Sequence, residues 1–150
     1  MKRVVPVLAF LLSAPASFAA DGASLYKTTC SVCHMADAAG MSGRFPPLKG
    51  RVDKIAAAPG GKTYLADVVI NGLHGPITAA GDSYAGFMPP LRSMSDDQLA
   101  SILTYIADLG DTKPSPVVNA SDIAASRKGP KSADAIMAER KALEDAHVIR

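Results

Sequence analysis

Cys30-Ser31-Val32-Cys33-His34 contains both cysteines of this 150-residue chain, three positions apart, with a histidine directly after the second. Two thiols this close commit a chain to a redox dithiol, a small disulfide, half of a zinc site or covalent haem attachment. Each option makes a different demand on the remaining sequence. A thioredoxin-like dithiol needs a strand leading into the motif and alternating β and α units around it, and no strand-like alternation is present in the sequence. A zinc site needs four ligands, usually with a second close pair, whereas His74 and His147 lie far apart. A disulfide closing so small a loop leaves His34 unexplained. Cys-x-x-Cys-His is the signature of c-type haem attachment. The two thiols add to the two vinyl groups as thioethers, and the next residue then lies under the iron to offer an imidazole as axial ligand.

The N-terminus agrees with that chemistry. Met1-Lys2-Arg3 is a short positive start, Val4 to Leu12 is apolar apart from Pro6, and Ser17-Phe18-Ala19 has the small-x-Ala pattern. This reads as a secretory signal peptide over residues 1–19, cleaved near Ala19. The apolar run is far short of the roughly 20 residues a bilayer span needs, and no later stretch reaches that length, so no stable membrane insertion is expected. Removing the leader leaves 14 basic against 14 acidic groups. Such a balance gives no basic patch of the kind that nucleic-acid binding requires.

The periodicity predicts an all-α chain of three to four helices separated by long loops. Asp21 is placed to cap a short helix from Gly22 to about Thr29. Residues 37–62 are rich in Gly, Pro and small side chains, with room for one helical turn near Val52 to Ala57. Loops of this length usually serve a site or wrap something. Thr63 is a candidate cap for a second helix stopped by Gly72. Ser95 and Gln98 have the spacing of a capping box, and Leu99, Ile102, Leu103 and Ile106 follow an i, i+3, i+4, i+7 stripe. Beyond Lys113-Pro114-Ser115-Pro116 comes a C-terminal extension, 113–150, read as a helical strap or a partly disordered segment. Its Arg140-Lys141 and Glu144-Asp145 pairs suggest a solvated helix face.

With His34 on one side of an iron, the other side has several candidates: Met35, Met41, Met88, Met94, Met137, His74 and His147. Met35 is tethered to the His34 side. Met88 follows Gly86 and precedes Pro89-Pro90, a turn-forming and stiff setting, and lies far enough along the chain to return on the opposite side. Met94 is the fallback, His74 an alternative, and a plain core-filling role for Met88 the bland reading.

Taken in order, Cys30-Ser-Val-Cys33-His34, Pro46-Pro47-Leu48, Gly86-Phe87-Met88-Pro89 and the helix ending in Tyr105-Ile106 resemble the monohaem class I cytochromes c. The string from Leu65 to Ile106 is also similar to small periplasmic cytochromes and to cytochrome subunits of quinoprotein-type dehydrogenases. The resemblance implies a cytochrome c-like fold over residues 20–112 and one haem c attached through Cys30 and Cys33. It further implies His34/Met88 ligation, a Pro46 carbonyl accepting from His34, and Leu48 packed on the haem. Gly22, Tyr26 and Tyr105 match the family's crossing of first and last helices, while Arg51, Tyr84 and Asn71 are candidate partners for the haem propionates. The implied function is one-electron transfer in the periplasm by a monomer, between a dehydrogenase or quinol-oxidising donor and a terminal oxidase or reductase. Two other readings stand beside it: a tightly bound cytochrome subunit of a periplasmic dehydrogenase, and a haem enzyme or gas sensor with an open distal site.

Overall fold

A computed structural model describes residues 17–149 of the chain. Most of the predicted leader therefore lies outside the described residues. The first helix, α1, runs Ser17–Thr29, so Asp21 falls inside it instead of capping it. Helix α2, Ser31–His34, is one turn carrying the cysteine motif. Helices α3, Val52–Ala57, and α4, Gly61–Asn71, follow. Thr63 is not the cap of α4. Gly60, in a left-handed conformation at φ 76°, precedes the helix and starts it three residues earlier than predicted.

Helix α5, Asp96–Asp108, forms as the sequence dictates. Ser95 Oγ accepts from the Gln98 N–H at 3.2 Å, and Gln98 Oε1 accepts from the Ser95 N–H at 2.9 Å, so two end groups are satisfied reciprocally. Leu99, Ile102, Leu103 and Ile106 are all buried. Helix α5 crosses α1, and the crossing requires glycine at position 22. A Cβ there would sit 2.3 Å from the Ser101 carbonyl oxygen and 3.0 Å from the Tyr105 Cβ. One helical turn on, Tyr26 packs on Tyr105 with ring centroids 5.6 Å apart.

Between α4 and α5 the described chain departs from the all-helical expectation. Strands β1, Leu73–His74, and β4, Phe87–Met88, pair antiparallel, with Leu73 opposite Met88. Nested inside them, β2, Ile77–Ala79, and β3, Asp82–Tyr84, form a second antiparallel pair. Strands of two or three residues are too short to display the alternation that would reveal them. Gly72 stops α4 at φ 80°, directly before β1. A Cβ on Gly72 would meet the Met88 carbonyl oxygen at 2.6 Å.

The C-terminal extension is integral to the packing. Helices α6, Ala120–Lys128, and α7, Ala133–Asp145, form the extension and bring the helices among the described residues to seven, five of them before it, against the three to four anticipated there. Helix α6 lies against α4 and α5, and α7 against α4 and β1. Val118, Ile123, Ile136, Leu143 and Ile149 join the hydrophobic core. The solvated-face expectation fails at Arg140, which is only 3% exposed, because its partners lie across the fold. Lys141 and Asp145 do form an exposed i,i+4 ion pair. Among the described residues no helix is long and apolar enough to cross a membrane.

Candidate functional site

Helix α2 is too short to stand alone, and its backbone is fixed by its neighbours. The Cys30 carbonyl accepts from the Cys33 and His34 N–H groups at 3.2 and 2.9 Å. The buried Tyr26 hydroxyl donates to the Met35 carbonyl at 2.7 Å, tying the motif to the α1–α5 crossing. Burial, with Cys30, Tyr105 and Asp37 nearby, pushes the Tyr26 phenol up to about 12, so it remains a donor. From Ala38 the chain loops out and returns, closed by Leu48 N–H donating to the Ala38 carbonyl at 2.9 Å.

That return sets the imidazole. His34 Nδ1 lies 2.9 Å from the Pro46 carbonyl oxygen. A carbonyl only accepts, so Nδ1 carries the proton and Nε2 keeps its lone pair for a ligand. Burial lowers the His34 pKa, against the opposing pull of the Pro46 hydrogen bond, which favours the neutral, metal-binding ring. Burial, with Cys33 beside it, raises the Cys30 thiol to about 11. This is opposite to the depressed value of a redox-active thiolate. The two thiols are not joined to each other.

Cys30, Cys33, His34 and Pro46 line one cleft, together with Met88. Its cavity volume is about 140 Å³. Leu73, Ile77, Phe45 and Leu91 give it largely apolar walls. None of the other candidate ligands lines this cleft. Met41 and His74 are exposed, Met94 packs against the core, Met137 lies on α7, and His147 lines another cavity with Lys49, Arg51 and Lys54.

The remaining predicted residues divide. Tyr84 is buried and lines the cleft. Arg51 lines the cavity with Lys49 and Lys54. Asn71 accepts from Arg92 and donates to the Asp67 carbonyl, so its amide is engaged outside the cleft. Leu48 packs against the hydrophobic core and does not line the cleft. Sequence reasoning missed Phe45, Leu73 and Ile77 as cleft walls, and their apolar character alone carried no signal to find them.

Residues 17–106 match the family described as cytochrome c oxidase, cbb3-type, subunit III. The chain belongs to the cytochrome c family. A cytochrome c-552 of Thermus thermophilus is 36% identical over 148 residues, covering 95% of this chain and 98% of that one. The cytochrome c subunit of the quinone-dependent alcohol dehydrogenase of Gluconobacter oxydans (strain 621H) is 34% identical over 104 residues. That match takes in 68% of this chain but only 21% of the subunit. As a cytochrome c, the chain is an electron-transfer protein carrying covalently bound haem c and not a catalytic enzyme.

The residues present fit that group. Two thiols and a neutral imidazole stand in one cleft with a thioether, between apolar walls. This donor set suits haem iron and is indifferent to hard, oxygen-seeking cations.

Proposed function

We propose that this cytochrome c is an exported one-electron carrier in which Cys30 and Cys33 form the thioethers and His34 and Met88 hold the iron. Haem supplies the Fe(III)/Fe(II) couple. The chain's part is to hold the ligands, exclude water and leave a route for the electron. The observation that carries this reading is that Met88, alone among the candidate second ligands, lines the cleft that contains His34.

Pro46 fixes the His34 ring and increases its donor strength through Nδ1–H. Met88 offers a soft sulfur that favours Fe(II) and raises the potential relative to a second histidine. With both positions filled, no coordination site is open to oxygen or peroxide, and electrons pass without bond making. Phe87, 68% exposed, lines the mouth of the cleft, and Val32 within the motif is 76% exposed. An apolar rim of this kind suits brief docking to redox partners.

The donor is a dehydrogenase or quinol-oxidising complex, and the acceptor a terminal oxidase or reductase. The near-complete match to cytochrome c-552 supports a free carrier, and similarity to a dehydrogenase cytochrome subunit supports the second reading, a bound subunit. Purification from the native cell separates them, since a bound subunit elutes with its dehydrogenase at fixed stoichiometry. Export to the periplasm is supported by the Met1 to Ala19 pattern.

The deciding experiment is optical. Holoprotein should be low-spin in both states and show the weak long-wavelength sulfur-to-iron band when oxidised, and Met88→Ala should abolish that band. A high-spin ferrous protein that binds CO rapidly would instead establish the open-site sensor or enzyme.

A further inference from the structure

Arg140 lies on α7, in the extension beyond the region matched to the family, yet it is among the most buried charged groups described, at 3% exposure. Its guanidinium donates through Nη1 to the Tyr64 hydroxyl on α4 at 3.2 Å and through Nη2 to the Thr78 carbonyl on β2. Nε lies 2.8 Å from Glu144 Oε1, one turn along α7. A buried cation with three partners on three elements is costly to loosen, because losing Glu144 leaves its charge uncompensated and losing Tyr64 or Thr78 leaves a buried N–H unpaired. Thr78 belongs to the β2–β3 hairpin, and that hairpin is the excursion between β1 and β4. Met88 sits on β4, opposite Leu73. Helix α7 also packs directly against β1.

We propose that Arg140 is a positioning residue for the iron's second ligand. By clamping Thr78, it holds the 73–88 segment closed so that Met88 stays in the cleft. The inference rests on the reading of Met88 as a ligand. Opening this segment is a local event with its own free energy, and an external ligand can reach the iron only when Met88 leaves. Affinity for that external ligand therefore measures the opening.

The test titrates imidazole into ferric holoprotein and follows loss of the sulfur-to-iron band. Arg140→Met keeps the aliphatic stem and removes all three polar contacts. It should tighten imidazole binding about tenfold, the change that loss of a charge-assisted hydrogen bond would produce. Lys141→Met, its exposed neighbour, should leave binding unchanged. Ile102→Val, a core truncation in α5, shows whether general destabilisation alone matters. If Arg140→Met yields no holoprotein, Arg140→Lys, which keeps the charge but not the fork, should show a smaller tightening of about threefold. Absence of the band from the unsubstituted protein would overturn the Met88 reading itself. If the band is present but imidazole affinity is unmoved by Arg140 substitution, or moved equally by Ile102→Val, the positioning role is overturned while Met88 ligation stands.

Discussion

The His34 Nδ1–H points at the Pro46 carbonyl oxygen 2.9 Å away, twelve residues along the chain. The bond joins the two ends of a loop whose base is closed by Leu48 on Ala38, so ring orientation and loop conformation are a single property. Pro46→Ala keeps the carbonyl but frees φ, so the hydrogen bond should weaken without disappearing. A less polarised imidazole stabilises Fe(III) less, and the midpoint potential should rise. Each tenfold loss of relative Fe(III) affinity corresponds to about 59 mV for one electron. Redox titration should show a rise of less than that amount, and a fall would contradict the assigned direction of the bond.

Met88→His separates ligand identity from ligand presence. A second imidazole keeps the iron low-spin, so the visible spectrum should remain that of a six-coordinate haem while the sulfur band is lost. The potential should drop by on the order of a few hundred millivolts, within the roughly 0.8 V that axial ligands can span. An unchanged potential would show that Met88 never bound.

What was legible in the sequence follows from interaction range. The Leu99–Ile106 stripe and the Ser95–Gln98 box are local patterns that a helix either satisfies or does not, and both form. The cysteine motif is equally local. The meeting of His34 with Pro46 was legible only through the resemblance to the family, because no spacing rule predicts it, whereas Met88 also stood out by its stiff Gly86-to-Pro90 setting. Arg140 shows where reading fails. Beside Lys141 and near Glu144 it has the pattern of a solvated face, yet it is buried by Thr78 and Tyr64, 62 and 76 residues away. The strands escaped for the same reason, since Leu73 and Met88 are paired by a turn geometry spread over the residues between them. Leu48, expected against the haem from the resemblance alone, packs against the hydrophobic core.

Gly72→Ala tests the junction between α4 and the Met88 strand. The position has φ 80°, and an added Cβ would lie 2.6 Å from the Met88 carbonyl oxygen. Strain in the left-handed region and the steric clash act together, so stability should fall by about 1–3 kcal/mol in chemical denaturation. The clash falls on Met88 itself. The sulfur-to-iron band should therefore weaken even under conditions where the far-ultraviolet signal shows an intact fold. Loss of stability with an undisturbed band would place the strain elsewhere.

Asp53 should contribute to the response to acid. It is fully buried on α3 and accepts from the Thr112 N–H at 3.0 Å and the Thr112 hydroxyl at 2.6 Å, tying α3 to the residue just before the extension. Burial alone would raise its pKa. The donors of Thr112, with the backbone N–H groups of Lys54 and Asp53, outweigh burial and hold the carboxyl below its ordinary value of 3.8. The folded state therefore binds a proton less readily than the unfolded chain does. The stability gained is fully present above about pH 3.8 and is lost as pH falls through the lower folded value. Asp53→Asn removes the charge-assisted hydrogen bonds and should cost about 1.5–3 kcal/mol at pH 7. It should also flatten the fall in stability below pH 4, because the variant has no proton to gain at that position. Urea unfolding of both proteins from pH 7 to pH 3 measures the two slopes, and parallel slopes would assign the acid sensitivity to other carboxylates.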